Sequence, residues 1–240
     1  MKEADDLVGG IEAVLGATFH SRVFKIKMAN GGHYVMKINQ PFKDPLQVEL
    51  MREIGDISHP NLLTPLEIAE EDGRIIEFYP YIPHPTLYQR HGKQPDPETA
   101  KLIVLQILLG LSPLHRRGII HHDVREPNIF VNPKTDEVTL FDYNISKKPY
   151  FLRTGMSTIN NVPPEYLVGC TQIDYRFDIY QTGIILRDLT HGYDWAKETF
   201  IPVKGVTPEL VQVIINAIHP DPDKRYRTAM NMAEALDKLI

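Results

Sequence analysis

The sequence predicts an α+β protein with two parts, a small antiparallel-sheet lobe followed by a larger, mainly helical lobe. Up to about Phe78 it consists mostly of short runs rich in β-branched and aromatic residues, punctuated by turn signals. From Pro97 the apolar residues recur at helical spacing instead. Between the two regimes lies a proline-rich stretch, Pro80 to Pro85, the candidate hinge.

Taken in order, Arg22–Lys27 and His33–Ile38 flank the turn Asn30-Gly31-Gly32 and predict a hairpin. After Pro41 to Pro45, Leu46, Leu50, Ile54 and Ile57 carry a helical spacing that stops before His59-Pro60-Asn61, because a residue preceding proline is pushed out of the α region. Strands around Leu66 and from Ile75 to Phe78 complete the sheet. In the second part, Ile103, Val104, Ile107, Leu108, Leu111 and Leu114 trace one face of a long helix that starts at Pro97 and carries Glu98 in its first turn. A loop at His121–Asn128, a short hairpin and an irregular stretch to about Pro164 follow. Helices are expected near Asp178–Leu189, Pro208–Ile218 and Thr228–Leu239. The reading is one domain over residues 1–240, with lobes of about 1–80 and 86–240 joined by a hinge at about 80–85.

The composition is that of a globular chain, 42% hydrophobic and 24% charged. With 26 basic against 31 acidic residues and no Lys/Arg run, it argues against nucleic acid and against a membrane surface as partners. The lone Cys170 excludes an internal disulfide framework and a cysteine-rich zinc site, and fits a reducing compartment. Lys2, Glu3, Asp5 and Asp6 do not make a signal segment, and the apolar stretch Leu102–Leu111 is interrupted by Gln106 and Gly110. A soluble, cytoplasmic protein is expected.

The chemistry-bearing residues are Lys37 at the end of a strand, Asp123 and Asn128 in one loop, and Asp142 after the apolar run Val138–Phe141. His121-His122-Asp123-Val124-Arg125-Glu126-Pro127-Asn128 resembles the protein kinase catalytic loop, H-R-D-x-x-x-x-N, with the Asp-to-Asn spacing intact. Phe141-Asp142-Tyr143-Asn144 is similar to the metal-binding D-F-G segment, and Tyr34-Val35-Met36-Lys37 to V-A-I-K. Val162-Pro163-Pro164-Glu165 resembles A-P-E, and Asp221-Pro222-Asp223-Lys224-Arg225 the segment whose arginine pairs with that glutamate. The resemblance runs from about Gly16 to Ala235 with the motifs in family order.

The resemblance implies the two-lobed protein kinase fold and an ATP- and Mg²⁺-dependent transfer of phosphate to a protein substrate. By it, Asp123 is the base for the substrate hydroxyl, Arg125 brings positive charge to the γ-phosphate, and Lys37 neutralises the α- and β-phosphates. Asn128 and Asp142 hold the metal ion. Glu49 is the expected partner of Lys37, through a small helix irregularity, with Glu53 one turn later as the alternative. Leu15–Val23 aligns with the glycine-rich loop but keeps only Gly16 of its glycines, so Thr18 and Ser21 are expected to supply side-chain hydrogen bonds to phosphate. Val23 and Val35 roof the adenine and Phe130 floors it. Pro80 offers it a C=O, Ile82 an N–H and a C=O, and the bulky Tyr79 stands behind it. Asp178 ties down the catalytic loop, and Glu165 and Arg225 form a partly buried salt bridge.

Departures from the pattern narrow the expectation. His122 replaces the arginine that grips a phosphorylated activation segment, which argues against such a switch being obligatory. Thr158, seven residues before Glu165, resembles the threonine of serine/threonine kinases, and Thr154 and Ser157 are candidate autophosphorylation sites. The short run between Gly192 and Pro208 leaves little room for the usual docking helix. A serine/threonine protein kinase is the leading expectation; the alternative is a pseudokinase serving as a nucleotide-binding interaction module. A small-molecule kinase is disfavoured by Thr158, Glu165 and Arg225. The oligomeric state is not indicated.

Overall fold

The computed structural model describes residues 8–19, 21–40, 46–90, 95–143, 161–167, 174–194 and 199–240. Asn144, Thr154, Ser157, Thr158 and Cys170 lie outside the described residues. The chain divides into two compact units, one of residues 1–58 and 63–83 and the other of residues 59–62 and 84–240.

The first unit is a five-stranded antiparallel sheet with one helix. Its strands are β1 (Val8–Ala17), β2 (Ser21–Met28), β3 (His33–Asn39), β4 (Glu67–Glu71) and β5 (Arg74–Pro80), in the spatial order β1-β2-β3-β5-β4. The predicted hairpin is β2 and β3. Its turn needs glycine because Gly31 has a φ of 84°, and the Gly32 N–H donates to Asn30 Oδ1 at 2.8 Å. The helix, α1 (Leu46–Gly55), begins where the spacing predicted, but Val48 and Ile54 are its buried residues while Leu50 is only half-buried. Ile57 lies one turn past the end of α1, where its N–H donates to the Ile54 carbonyl at 2.9 Å and its side chain joins the core with Ile26 and Ile75.

The second unit is built around α2 (Pro97–Arg116). Asp96 caps it, accepting from the N–H groups of Glu98 and Thr99, and Pro97 stands in the first turn. By length and composition alone α2 is apolar enough to cross a membrane. Its apolar face is nevertheless buried within the unit, against α4 (Arg176–Thr190), α6 (Ala229–Asp237) and β7 (Val138–Leu140). The two residues that interrupt the apolar run explain themselves here. Gln106 accepts from the Val138 N–H and from Asn61 Nδ2, and Gly110 leaves room for the crossing chain, since a Cβ there would sit 2.9 Å from the Asn61 carbonyl.

β7 pairs with β6 (Ile129–Val131). A single helical turn, α3 (Pro164–Leu167), precedes α4, which crosses α5 (Pro208–Ala217) so closely at Gly183 that a Cβ would lie 2.6 Å from that of Ala217. Between α4 and α5 the chain forms a hairpin, β8 (His191–Asp194) and β9 (Thr199–Pro202), which the sequence reading did not identify. The described architecture is α+β, as predicted.

Candidate active site

In the second unit the loop at His121–Asn128 is organised by a buried carboxylate. Asp178, in the first turn of α4, is fully buried. It accepts from the N–H groups of His121 and His122, and faces His115 Nε2, each at 2.8 Å. Those bonds hold His122 at a φ of 73°, a left-handed conformation that costs a side-chain-bearing residue about 1–2 kcal/mol. Burial works to raise the Asp178 carboxyl, but the bond from His115 and the His122 N–H hold it below the ordinary carboxylate range. Gln181, one turn further along α4, accepts from the Val124 N–H at 2.9 Å and donates to the Asn161 carbonyl at 3.2 Å. Asn161 in turn donates to the Val124 carbonyl at 3.1 Å. The main chain on both sides of Asp123 is thereby fixed to one helix.

Asp123 sits in this frame, half-buried. Asn128 Nδ2 donates both to the Asp123 carbonyl, at 2.9 Å, and to its Oδ2, at 2.8 Å. Arg125 Nε lies 4.0 Å from Oδ1. Burial pushes the Asp123 carboxyl up, against the pull of Arg125 and the Asn128 hydrogen bond. His121 is completely buried, which holds its imidazole below the ordinary range and keeps it neutral. Its Nδ1 accepts from the Asp123 N–H at 3.3 Å, so Nε2 carries the proton toward the Phe141 carbonyl at 3.2 Å.

The Phe141 N–H donates to the Asn128 carbonyl at 3.0 Å, extending the β6–β7 ladder by one pair and setting Asp142 next to Asn128. Asp142 is exposed and left-handed, with a φ of 62°. Phe130 stacks on Phe141 with ring centres 4.1 Å apart. Tyr143 packs its ring on His121 and is buried, and its hydroxyl has no partner among the described residues. No group of three or more His, Cys, Asp or Glu arranged to hold a metal occurs among the described residues. The donor set still fits Mg²⁺, which typically takes one or two protein carboxylates and completes its shell with water and phosphate oxygens. Asp142 is an exposed carboxylate residue, and because Asn128 spends its amide N–H groups on Asp123, the Asn128 Oδ1 is the oxygen it could turn to an ion.

In the first unit Lys37 stands on β3 opposite Val23 on β2 and Glu77 on β5, while Val35 stands opposite Tyr79. Pro80 ends β5 opposite Tyr34, and Ile82 beyond it is half-buried. Gly16 pairs with Val23 across the β1–β2 hairpin. The hairpin's turn closes on itself: the Thr18 N–H donates to the Ser21 carbonyl at 2.8 Å, and Thr18 Oγ1 accepts from the Ser21 N–H at 3.0 Å. Thr18, expected to reach phosphate, here stabilises the loop's own backbone. Glu49, expected beside Lys37, is exposed in the first turn of α1, one residue round from the buried Val48, and makes no ion pair among the described residues. Glu53 is half-buried. Glu77, which the sequence reading passed over, is a buried carboxylate in the strand beside Lys37.

In the second unit the expected ion pair is present. Arg225, 4% exposed, binds Glu165 in a two-pronged contact of 2.8 and 2.6 Å and donates through Nε to the His219 carbonyl at 2.7 Å.

The second unit carries the Asp123–Asn128 loop joined to the β6–β7 hairpin, and the first carries Lys37 in its antiparallel sheet. Residues 11–236 match the family described as protein kinase domain, and the chain belongs to that family. It is 28% identical over 202 residues to the serine/threonine-protein kinase pkn3 of Myxococcus xanthus, covering 77% of this chain and 35% of that protein. It is 30% identical over 162 residues to the serine/threonine-protein kinase PknB of Mycolicibacterium smegmatis, covering 57% of this chain and 25% of that protein. The chain thus spans only 35% and 25% of the lengths of these relatives. The crystal structure of the Mycobacterium tuberculosis PknI kinase domain superposes with a TM-score of 0.69 at 19% identity, over 96% of this chain and 95% of that one, and establishes the same fold.

Proposed function

We propose that this domain transfers the γ-phosphate of ATP to serine or threonine hydroxyls of proteins. The observation that carries the proposal is the Asn128 amide bridging the carboxylate and carbonyl of Asp123, while the Asn128 main chain pairs with Phe141. One hairpin end thereby ties the loop that carries Asp123 and Asn128 to the strand that leads into Asp142, which supports reading them as base and metal ligands.

Asp123 accepts the hydroxyl proton of the substrate, whose oxygen attacks the γ-phosphorus as the bond to the β–γ bridging oxygen breaks and ADP leaves. Asp142 and Asn128 would hold Mg²⁺, which when bound would supply charge neutralisation on the phosphates. Arg125 faces the same carboxylate and presents positive charge to the transferring group, and Lys37 neutralises the α- and β-phosphates. The names of the relatives support serine or threonine as acceptor.

The test is transfer of labelled γ-phosphate from Mg-ATP by wild type and by Asp123→Ala, onto the domain itself and onto a generic basic protein, with phosphoamino-acid analysis. Labelled serine or threonine with wild type alone supports the proposal. If both bind ATP and neither transfers, the domain is a nucleotide-binding interaction module, a reading that the self-closed Thr18–Ser21 turn favours.

A further inference from the structure

Val124, the residue after Asp123, is held on both sides by side chains from two other parts of the second unit. The Val124 N–H donates to Gln181 Oε1 at 2.9 Å, Gln181 Nε2 donates to the Asn161 carbonyl at 3.2 Å, and Asn161 Nδ2 donates to the Val124 carbonyl at 3.1 Å. The bonds close a ring in which each residue donates once and accepts once. The peptide groups it takes are the one joining Asp123 to Val124 and the one joining Val124 to Arg125. Fixing both fixes the spacing of the charged residues they connect, whose Oδ1 and Nε atoms lie 4.0 Å apart. Asp178 restrains the loop before the base, through the N–H groups of His121 and His122, and the ring restrains it after the base.

Val124 and Gln181 are buried, and in such surroundings linked hydrogen bonds strengthen one another. The main chain at Asn161 has its own anchor, since the next residue, Val162, packs against the buried cluster of Ile120, Tyr166 and Phe177. Asn161 Oδ1 is buried and has no partner among the described residues, so the single bond from Nδ2 to Val124 orients the amide. Turned over, it would set Oδ1 against the Val124 carbonyl, acceptor against acceptor. We propose that Asn161 and Gln181 are positioning residues for Asp123 and Arg125, and that the ring passes the placement of the chain just before α3 to the base through hydrogen bonds alone. This rests on the reading of Asp123 as the base.

The experiment uses the whole domain and compares wild type, Asn161→Leu, Gln181→Met and the double variant, each assayed below its own melting temperature. Leucine and methionine approximate the shapes of the side chains they replace and make none of their hydrogen bonds. The readouts are kcat, KM for Mg-ATP, and the exchange rate of the Val124 N–H followed by NMR. Asn161→Leu deletes the bond to the Val124 carbonyl and leaves the N–H its own acceptor. In a ring that acts as a unit, that N–H should still exchange about two- to tenfold faster, the factor that one hydrogen bond carries. Displacement of the base should lower kcat by about ten- to a hundredfold. KM for Mg-ATP should stay within about twofold of wild type, because no residue assigned to the nucleotide is altered. The double variant should lose no more kcat than the worse single variant, since either substitution opens the same ring.

A wild-type kcat in Asn161→Leu, or a Val124 N–H that exchanges there at the wild-type rate, overturns the proposal. So do losses of kcat that multiply in the double variant, which would mean two separate contributions and no ring. Should Gln181→Met fail to fold, Asn161→Leu decides by itself, because Asn161 is only half-buried and the adjoining Val162 keeps its anchor. Asp123→Ala separates the ring from the underlying reading. If Asp123→Ala transfers phosphate at the wild-type rate, Asp123 is not the base and that reading fails, while Val124 exchange in Asn161→Leu still reports whether the ring acts as a unit.

Discussion

Asp178→Asn removes one acceptor from a fully buried carboxylate that serves three donors. His115 and His121 share Oδ2 and His122 has Oδ1 to itself, so the amide that keeps most bonds turns its NH₂ toward the His122 N–H. A buried N–H is then orphaned and faces another donor, at a cost of about 1–3 kcal/mol. The left-handed backbone of His122 loses its only restraint from this side chain, and its relaxation misdirects the next residue, Asp123. The expected loss of stability is about 2–4 kcal/mol, or a fall in Tm of about 4–16 °C for a chain of this size. Phosphate transfer measured below the new Tm should drop by about a hundredfold, with KM for ATP little changed. Because the folded carboxyl lies below its unfolded value, its stabilisation is present above the ordinary carboxylate range and is lost as pH falls through the folded value. The stability gap between wild type and variant should accordingly shrink on acidification below about pH 4. A variant that melts within 2 °C of wild type, by an estimate of about 2–4 °C per kcal/mol, and transfers phosphate at the wild-type rate would show that Asp178 does not hold the loop.

Tyr143→Phe removes a buried hydroxyl that has no partner among the described residues, so it should raise stability by about 1–3 kcal/mol in urea unfolding; a loss of stability would reveal a hydrogen bond there. Glu165→Ala leaves Arg225 charged and buried, and should cost about 3–5 kcal/mol, read as a lower unfolding midpoint. Gly110→Ala drives a methyl into the Asn61 carbonyl and should cost about 1–3 kcal/mol. For catalysis, burial raises the Asp123 carboxyl, so kcat/KM should begin to fall on acidification at a higher pH than an ordinary aspartate would give. Arg125 pulls that carboxyl down, so Arg125→Gln should move the acidic limb to still higher pH; a limb that stays put would mean that Asp123 is not the titrating base.

Much of the fold was legible because its signals are local. The β2–β3 hairpin follows from Asn30-Gly31-Gly32, and α2 from its apolar stripe with a proline in the first turn. The Glu165–Arg225 pair was legible only through the order of motifs, since nothing local joins residues on α3 and beyond α5. The β8–β9 hairpin escaped because its strands are four residues each and carry glycine and proline. Gln181 escaped for a different reason. Gln181 lies one turn after Asp178 on α4 and is buried, but its partner is a backbone N–H in the loop at His121–Asn128, and main-chain donors leave no trace in sequence.

Glu77 shows where a spacing argument stops. Lys37 was found by its own tetrapeptide, and its partner was then sought at a fixed offset from Pro60, a rule that assumes the partner is on a helix. In a sheet, partners are set by register, and register depends on turn lengths and on which strands become neighbours. Here β5 lies between β3 and β4, so a strand distant in sequence delivers Glu77 to Asn39 on β3. From the sequence alone, Glu77 is an acid in an apolar strand flanked by Ile75, Ile76, Phe78 and Tyr79, which is itself the anomaly: a strand that buries a carboxylate needs a cation or strong donors on the facing strand. Asn39 on the facing strand and Tyr79, two residues along β5, meet that need with hydrogen bonds, on the one face that the pleat allows.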